Sequence, residues 1–170
     1  LIQPKDTTMT EDEKRVEAKL KELGIAYERQ EHDAIMTVEE GKRIAAAVGS
    51  ACMKNLFLCG KKKFCCLYLL PADKIFSSKD LSQRLGIGHL SFGKPEKMQE
   101  YLHTYPGAVT CMGLMFDTYH QVKVLVDKEL QQFPYVDVHP CVNTASLKIA
   151  FKDIIEKWLP ATGHADFIWV

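Results

Sequence analysis

Leu56-Phe57-Leu58, opened by Lys54 and Asn55, and Phe64-Cys65-Cys66-Leu67-Tyr68-Leu69-Leu70 constrain this chain more than any other stretch. Between them lie Gly60 and Lys61 to Lys63, a polar connection of hairpin length. Apolar runs this short and unbroken, bounded by turn residues, read as strands covered on both faces. Lys54 and Asn55 then sit at the polar rim of a dry sheet. An amine and an amide beside an apolar wall suit a polar substrate with a small hydrophobic part. On spacing alone, a lysine there is more often simply a solvated strand cap.

The rest of the chain supplies the cover. Thr10-Glu11-Asp12-Glu13 is a capping box, followed by Val16, Leu20 and Leu23 at helical spacing and closed by Gly24. Ile25 to Gln30 reads as a short edge strand. Thr37-Val38-Glu39-Glu40 opens a second helix through Ile44 and Val48 to Gly49. Pro71 to Phe76 reads as loop. Ser77 or Ser78 caps a helix carrying Leu81 and Leu85, and Pro95 starts another with Met98 and Leu102 inward. Val109 to Phe116 reads as a strand or extended loop. Val122 to Val126, Tyr135 to Val138, Ala145 to Ala150 and Asp166 to Trp169 read as strands. Phe151, Ile154, Ile155, Trp158 and Leu159 form a helical stripe. Helices and strands interleave irregularly, so the chain reads as one α+β, or mixed α/β, domain over residues 10–170, preceded by a lead-in over residues 1–9.

With 22 basic and 22 acidic residues, no overall field draws nucleic acid or an anionic membrane to the chain. Any such contact must be local. No apolar run is long enough to span a membrane. The six cysteines hold no C-x-x-C pair, and Cys65 and Cys66 would face opposite sides of one strand. That pattern fits reduced thiols in a cytoplasmic setting, not a disulfide framework or zinc site. A nucleophile elbow, a P-loop, a dinucleotide fingerprint and an H-E-x-x-H pair are all missing. Three stretches ask for a reason, of which Gly163-His164 reads only as the end of the last helix. Gly107-Ala108-Val109-Thr110-Cys111-Met112-Gly113 can present backbone N–H groups to a ligand oxygen, or be a turn into a strand. His139-Pro140-Cys141-Val142-Asn143-Thr144-Ala145 gathers imidazole, amide and hydroxyl, although turn chemistry alone explains Pro140 and Asn143.

Lys54-Asn55-Leu56-Phe57-Leu58, Leu90-Ser91-Phe92, Pro106-Gly107-Ala108-Val109-Thr110 and His139-Pro140 with Asn143-Thr144-Ala145 occur in an order that resembles one family. This is the YbaK-type aminoacyl-tRNA deacylases, also called prolyl-tRNA-synthetase-associated editing domains. The likeness runs from about Glu11 to Val170, with Asp33 and Ala34 where prolines are common. It is nearest to the freestanding branch that clears alanine mischarged onto proline tRNA.

The resemblance implies a curved, mostly antiparallel sheet of six to seven strands with helices packed around it. It implies hydrolysis of an aminoacyl ester without metal or cofactor. Aminoacyl-tRNA, through its acceptor end, would be the partner, and prolyl-tRNA synthetase a further one. Lys54 matches the lysine on which family members depend, and Gly107 the glycine of a G-x-x-x-P loop whose amides hold the substrate carbonyl. Cys111 replaces that proline. Asn55, Ser91, Ala108, Val109, Asn143 and Thr144 would contact substrate, with Phe57, Ile35, Met36 and Val109 as pocket walls. His139 is the alternative base beside a route that uses the ribose hydroxyl and water. The competing readings are a tRNA- or synthetase-binding module with the same fold, and a thiol-redox protein resting on the cysteines alone.

Overall fold

A computed structural model describes residues 8–170, so the lead-in expected over residues 1–9 lies outside the described residues except at positions 8 and 9. Both capping boxes form. Thr10 accepts from the Glu13 N–H at 3.2 Å while the Glu13 carboxylate accepts from the Thr10 N–H at 2.7 Å, which starts α1 (Glu11–Glu22). Thr37 and Glu40 do the same for α2 (Val38–Ala47). Each box satisfies two backbone donors that a helix start would otherwise leave free.

One sheet organises the domain. Its strands are β1 (Tyr27–Glu31), β2 (Ala51–Cys59), β3 (Cys65–Pro71), β4 (Ser91–Phe92), β5 (Val122–Val126), β6 (Tyr135–Val138), β7 (Ala145–Ala150) and β8 (Ile168–Trp169). The order is β1-β7-β6-β2-β3-β5-β8, with β4 beside β2. The ladders β1–β7, β6–β7, β2–β3 and β2–β4 are antiparallel, and β2–β6, β3–β5 and β5–β8 are parallel. Among the described residues the sheet has eight strands, above the expected six or seven. The unanticipated strand, β4, pairs only Leu58 with Phe92 and Cys59 with Ser91, too short for a period to reveal.

β3 is buried along its whole length, as its unbroken apolar run requires. Cys65, Leu67 and Leu69 face the main core, whereas Cys66, Tyr68 and Leu70 face a second cluster capped by Leu81 of α3 (Ser78–Leu85). Cys65 and Cys66 therefore do point to opposite sides. α4 (Pro95–Leu102) turns Met98 and Leu102 into the main core.

Two segments depart from the sequence expectation. Cys111–Phe116 is a 3-10 helix, not strand or extended loop, capped by Thr110, whose hydroxyl accepts from the Met112 N–H at 3.1 Å. The residues Cys111 to Leu114 are all buried, so no period of two exists there to favour a strand. The C-terminal stripe is helical from Phe151 to Ala161, but its middle, Ile154–Trp158, is π-wound between the short α5 (Phe151–Asp153) and α6 (Leu159–Ala161). Pro160 lacks the N–H that would close the next regular turn.

A buried pair locks the end of the 3-10 helix to the chain after α6. The Asp117 carboxylate accepts from His164 Nε2 at 2.9 Å and from the N–H groups of Gln121 and Val122. His164 is thus a buried structural partner and not merely the residue that ends a helix.

The 3-10 helix packs tightly: a Cβ added at Gly113 would lie 2.3 Å from the Leu102 carbonyl oxygen. Gly113→Ala should lower stability by about 1–3 kcal/mol, the usual cost of overpacking. Urea unfolding checks this, and an unchanged midpoint would mean that the helix slides freely against α4.

Candidate active site

β2 and β6 run parallel but pair only through Ala51 with Val136 and Cys52 with Asp137. Past that point the strands diverge, and crevices outside the carboxyl ends of parallel strands are where open sheets bind ligands. A cleft of about 300 Å³ fills the gap. Lys54, Asn55 and Leu56 come from β2, and Val138 and His139 from the end of β6. Gly107 and Val109 come from the turn before the 3-10 helix, and Ile35 and Met36 from the entry to α2.

Lys54 is half-buried, and its Nζ donates to the Lys74 carbonyl at 2.6 Å. Burial holds its pKa below the ordinary lysine value, with Cys52 and Asp73 pulling the other way. No carboxylate pairs with it among the described residues, so the ammonium keeps donors for a ligand. The carbonyl that fixes it is itself anchored. Lys74 Nζ lies 2.7 Å from Asp127 Oδ2, which also accepts from the Tyr68 hydroxyl at 2.6 Å. Asp127 is fully buried; although burial alone would raise its pKa, these donors hold it below the usual carboxylate range.

Gly107 has φ +93°, a left-handed conformation that suits glycine, in a turn closed by the Ala108 N–H donating to the Tyr105 carbonyl at 2.9 Å. The loop is clamped at Cys111. Its N–H donates to Asn55 Oδ1 at 2.9 Å, and its carbonyl accepts from Trp158 Nε1 at 2.9 Å. A proline at this position has no N–H to give Asn55. Here the stiffness comes from two hydrogen bonds reaching from opposite sides of the fold.

His139 Nδ1 lies 3.0 Å from the Ala145 carbonyl, which only accepts, so Nδ1 carries the proton and Nε2 the lone pair. Burial, the largest influence, lowers its pKa, and His32 nearby lowers it further. Asn143 braces the rim. The Tyr105 hydroxyl donates to its Oδ1 at 3.0 Å, and its carbonyl accepts from the Ile35 N–H at 3.1 Å.

The structure therefore gathers Lys54, Asn55, Gly107, Val109, Ile35, Met36 and His139 around one cleft, with Asn143 behind its rim. It does not bring the remaining expected residues to the cleft lining. Phe57 is in the main core and Ala108 is fully buried with its N–H used by the turn. Ser91 is exposed on β4 and Thr144 is exposed beside His32.

Sequence reasoning missed Asp137, which lines the cleft beside Cys52 and Gly41. The alternation through Tyr135-Val136-Asp137-Val138-His139 carried the signal, since it puts Asp137 and His139 on one face. Gly41 lets α2 lie close: a Cβ there would stand 3.2 Å from Cys52 Sγ. The Cys52 thiol is pushed up to about 11 by burial and by Asp137, so it is protonated at neutral pH. All six cysteines are free. Among the described residues, no three His, Cys, Asp or Glu side chains gather as a metal-ligand set, and no helix is long and apolar enough to cross a membrane.

Residues 32–157 match the aminoacyl-tRNA editing domain family. The chain is 35% identical over 150 residues to the prolyl-tRNA editing protein ProX of Acetoanaerobium sticklandii, covering 86% of this chain and 90% of that protein. It is 31% identical over 157 residues to prolyl-tRNA synthetase associated domain-containing protein 1 of Danio rerio, covering 91% and 85%. A solved structure described as a candidate trans-editing enzyme for prolyl-tRNA synthetase superposes with a TM-score of 0.72 at 20% identity, over 96% of this chain and 97% of that one. That likeness shows the fold.

Burial pushes the Asp137 carboxyl up to about 6, against the pull of Ser146 and Ser50. An unfolded aspartate titrates near 3.9. Between these values the native state holds a proton that the unfolded state has lost, so stability falls as pH rises from about 4 and the loss is complete above about 6. Asp137→Asn should raise stability at pH 8 by on the order of 1–3 kcal/mol, with a smaller gain at pH 4. Denaturation of both proteins at the two pH values checks it; an equal difference at both would contradict the shift.

Proposed function

The chain belongs to the aminoacyl-tRNA editing domain family, and on that premise we propose that it is a trans-editing hydrolase for mischarged aminoacyl-tRNA, alanyl-tRNA(Pro) foremost. The meeting of Lys54, Gly107 and His139 in one sheltered cleft, although they are far apart in the chain, carries this reading. An aminoacyl ester is already activated. Its hydrolysis asks for an aligned water and a stabilised oxyanion more than for a strong nucleophile. Lys54 offers a desolvated positive charge with spare donors, and Gly107 and Val109 bring the backbone of their turn to the lining of the same cleft. The ribose hydroxyl next to the ester moves the proton. His139 is neutral, and its Nε2 lone pair accepts a hydrogen bond from substrate or water without acting as an essential base.

Editing by size suits the pocket. A synthetic site that holds a larger amino acid gains only about 1–3 kcal/mol per methylene over a smaller one, so a second, tighter site is needed to clear the smaller. The walls at Ile35, Met36 and Val109, with α2 held close through Gly41, limit what enters this cleft. A path for the RNA 3′ end runs beside β2. Phe92, 64% exposed, pairs with Leu58 and packs on Phe76 with ring centroids 5.9 Å apart. The exposed Lys61, Lys62 and Lys63 follow at the β2–β3 turn. An aromatic face flanked by cations is what an unpaired strand stacks on. The cytoplasm, where such RNA is used, is the setting this activity implies.

A binding module for tRNA or a synthetase is the second reading. The relatives named for association with prolyl-tRNA synthetase favour it. Retention of Lys54 and Gly107 in a formed cleft favours catalysis. A panel of mischarged tRNAs decides. Alanyl-tRNA(Pro) should be hydrolysed and prolyl-tRNA(Pro) spared; cleavage of seryl or cysteinyl esters alone would move the substrate assignment, and cleavage of none would favour the binding module.

Lys54→Ala should cut the rate about 10²–10³-fold, the usual loss for one oxyanion donor, with the circular dichroism spectrum unchanged. Lys54→Arg should restore only part of it. His139→Ala should lower the rate modestly without changing its pH dependence. EDTA should leave turnover intact, and loss restored by zinc would contradict the scheme.

A further inference from the structure

Resting on the ester-hydrolase reading, we propose that Asp137 receives the α-ammonium group of the aminoacyl moiety, so that the cleft selects esters with a free amine. Asp137 is 8% exposed, lines the cleft, and its Oδ1 is buried without a hydrogen-bond donor from the protein. No cation among the described residues pairs with it, and each nearby one is engaged elsewhere. Lys148, its ladder partner on β7, holds its ammonium 4.7 Å from the centre of the Tyr135 ring. Lys54 donates to the Lys74 carbonyl, and Lys42 pairs with Asp73 at 2.6 Å. Arg29 pairs with Glu13 at 2.7 Å.

The position suits the chemistry. Cys52, beside Asp137 across the β2–β6 ladder, lies two residues before Lys54 on the same face of β2. An aminoacyl ester carries its amine two bonds from the carbonyl carbon. One substrate therefore presents its ester to Lys54 and its ammonium to Asp137 within the same cleft. Cys52 is neutral and does not compete as an anion, and His139 is neutral and does not compete as a cation. Ser146 and Ser50 hydrogen-bond to the carboxyl, but a buried carboxylate with no cation beside it is still costly, and asparagine would fill the same space without the charge. Groups that cost the fold stability and are kept are expected where function needs them.

Two measurements test this. The first compares wild type and Asp137→Asn on alanyl-tRNA(Pro) and on the same RNA bearing N-acetylalanine. The ratio of kcat/KM for the free-amine ester to that for the blocked ester should fall about 10- to 100-fold in the variant, the loss of one charge-assisted hydrogen bond, and chiefly through KM. An unchanged ratio, with both esters slowed alike, would make Asp137 a structural residue and overturn the proposal. The second uses wild type alone, with alaninamide and N-acetylalaninamide as unreactive probes followed by amide NMR. Alaninamide should shift the signals of Asp137 and Cys52 at concentrations where the acetylated probe does not. Equal response to both would overturn the proposal whether or not the protein hydrolyses any ester. Hydrolysis of neither ester by wild type, with the selective shift present, would sink the hydrolase reading and keep the amine site.

Discussion

The parting of β2 from β6 after two pairs of residues is the constraint on which the rest depends. A continuous ladder would place Lys54 and Asn55 against β6 and leave no cleft. Instead β6 ends at Val138, the chain turns at His139 and Pro140, and the freed edge of β2 is met by the Gly107 loop and the 3-10 helix. Polar groups of an unpaired strand edge need partners when buried. Asn55 supplies one contact by accepting from the Cys111 N–H, and Gly93 supplies another by donating to the Phe57 carbonyl at 2.9 Å. The opening is therefore a stable feature of the sheet, held at both ends.

Around that opening the protein sets charges in low-dielectric surroundings and then fixes them from behind. Lys54 is held by a carbonyl whose own residue is tied to Asp127, and Asp127 is tied to Tyr68 on the neighbouring strand. Cys111 is held from the sheet by Asn55 and from the C-terminal helix by Trp158. Preorganisation of this kind removes the reorganisation cost that water would demand as charge develops on an ester oxygen. Asp137 is the exception. Its Oδ1 has no donor, and burial raises its pKa in spite of Ser146 and Ser50, whereas Lys54, Asn55 and Gly107 are braced.

Local physics made much of the fold legible in the sequence. Thr10 with Glu13 and Thr37 with Glu40 define helix starts because the capping box is a contact within one turn. The run from Phe64 to Leu70 declares a strand buried on both faces, because only such a strand needs no polar alternation. The 3-10 helix at Cys111–Phe116 was not legible. Its conformation follows from the close approach of Gly113 to the Leu102 carbonyl and from the Trp158 bond, both set by distant elements. The same holds for β4, which exists because two residues lie beside the end of β2, and for the bond between His164 and Asp117.

The site divides along the same line. The sequence by itself determined the identities and order of Lys54, Asn55, Gly107, His139 and Asn143, and the family that this order marks. Each sits in a short motif whose chemistry is local. Only the tertiary structure decided which of them share a cleft, that Asn143 braces a rim, and that Phe57, Ala108, Ser91 and Thr144 fall outside the lining. It also decided that Asp137 is buried there with one carboxylate oxygen lacking a hydrogen-bond donor. Residue type is written in the chain, but burial and proximity depend on where strands pair and part, and β2 and β6 are joined by contacts far apart in the sequence.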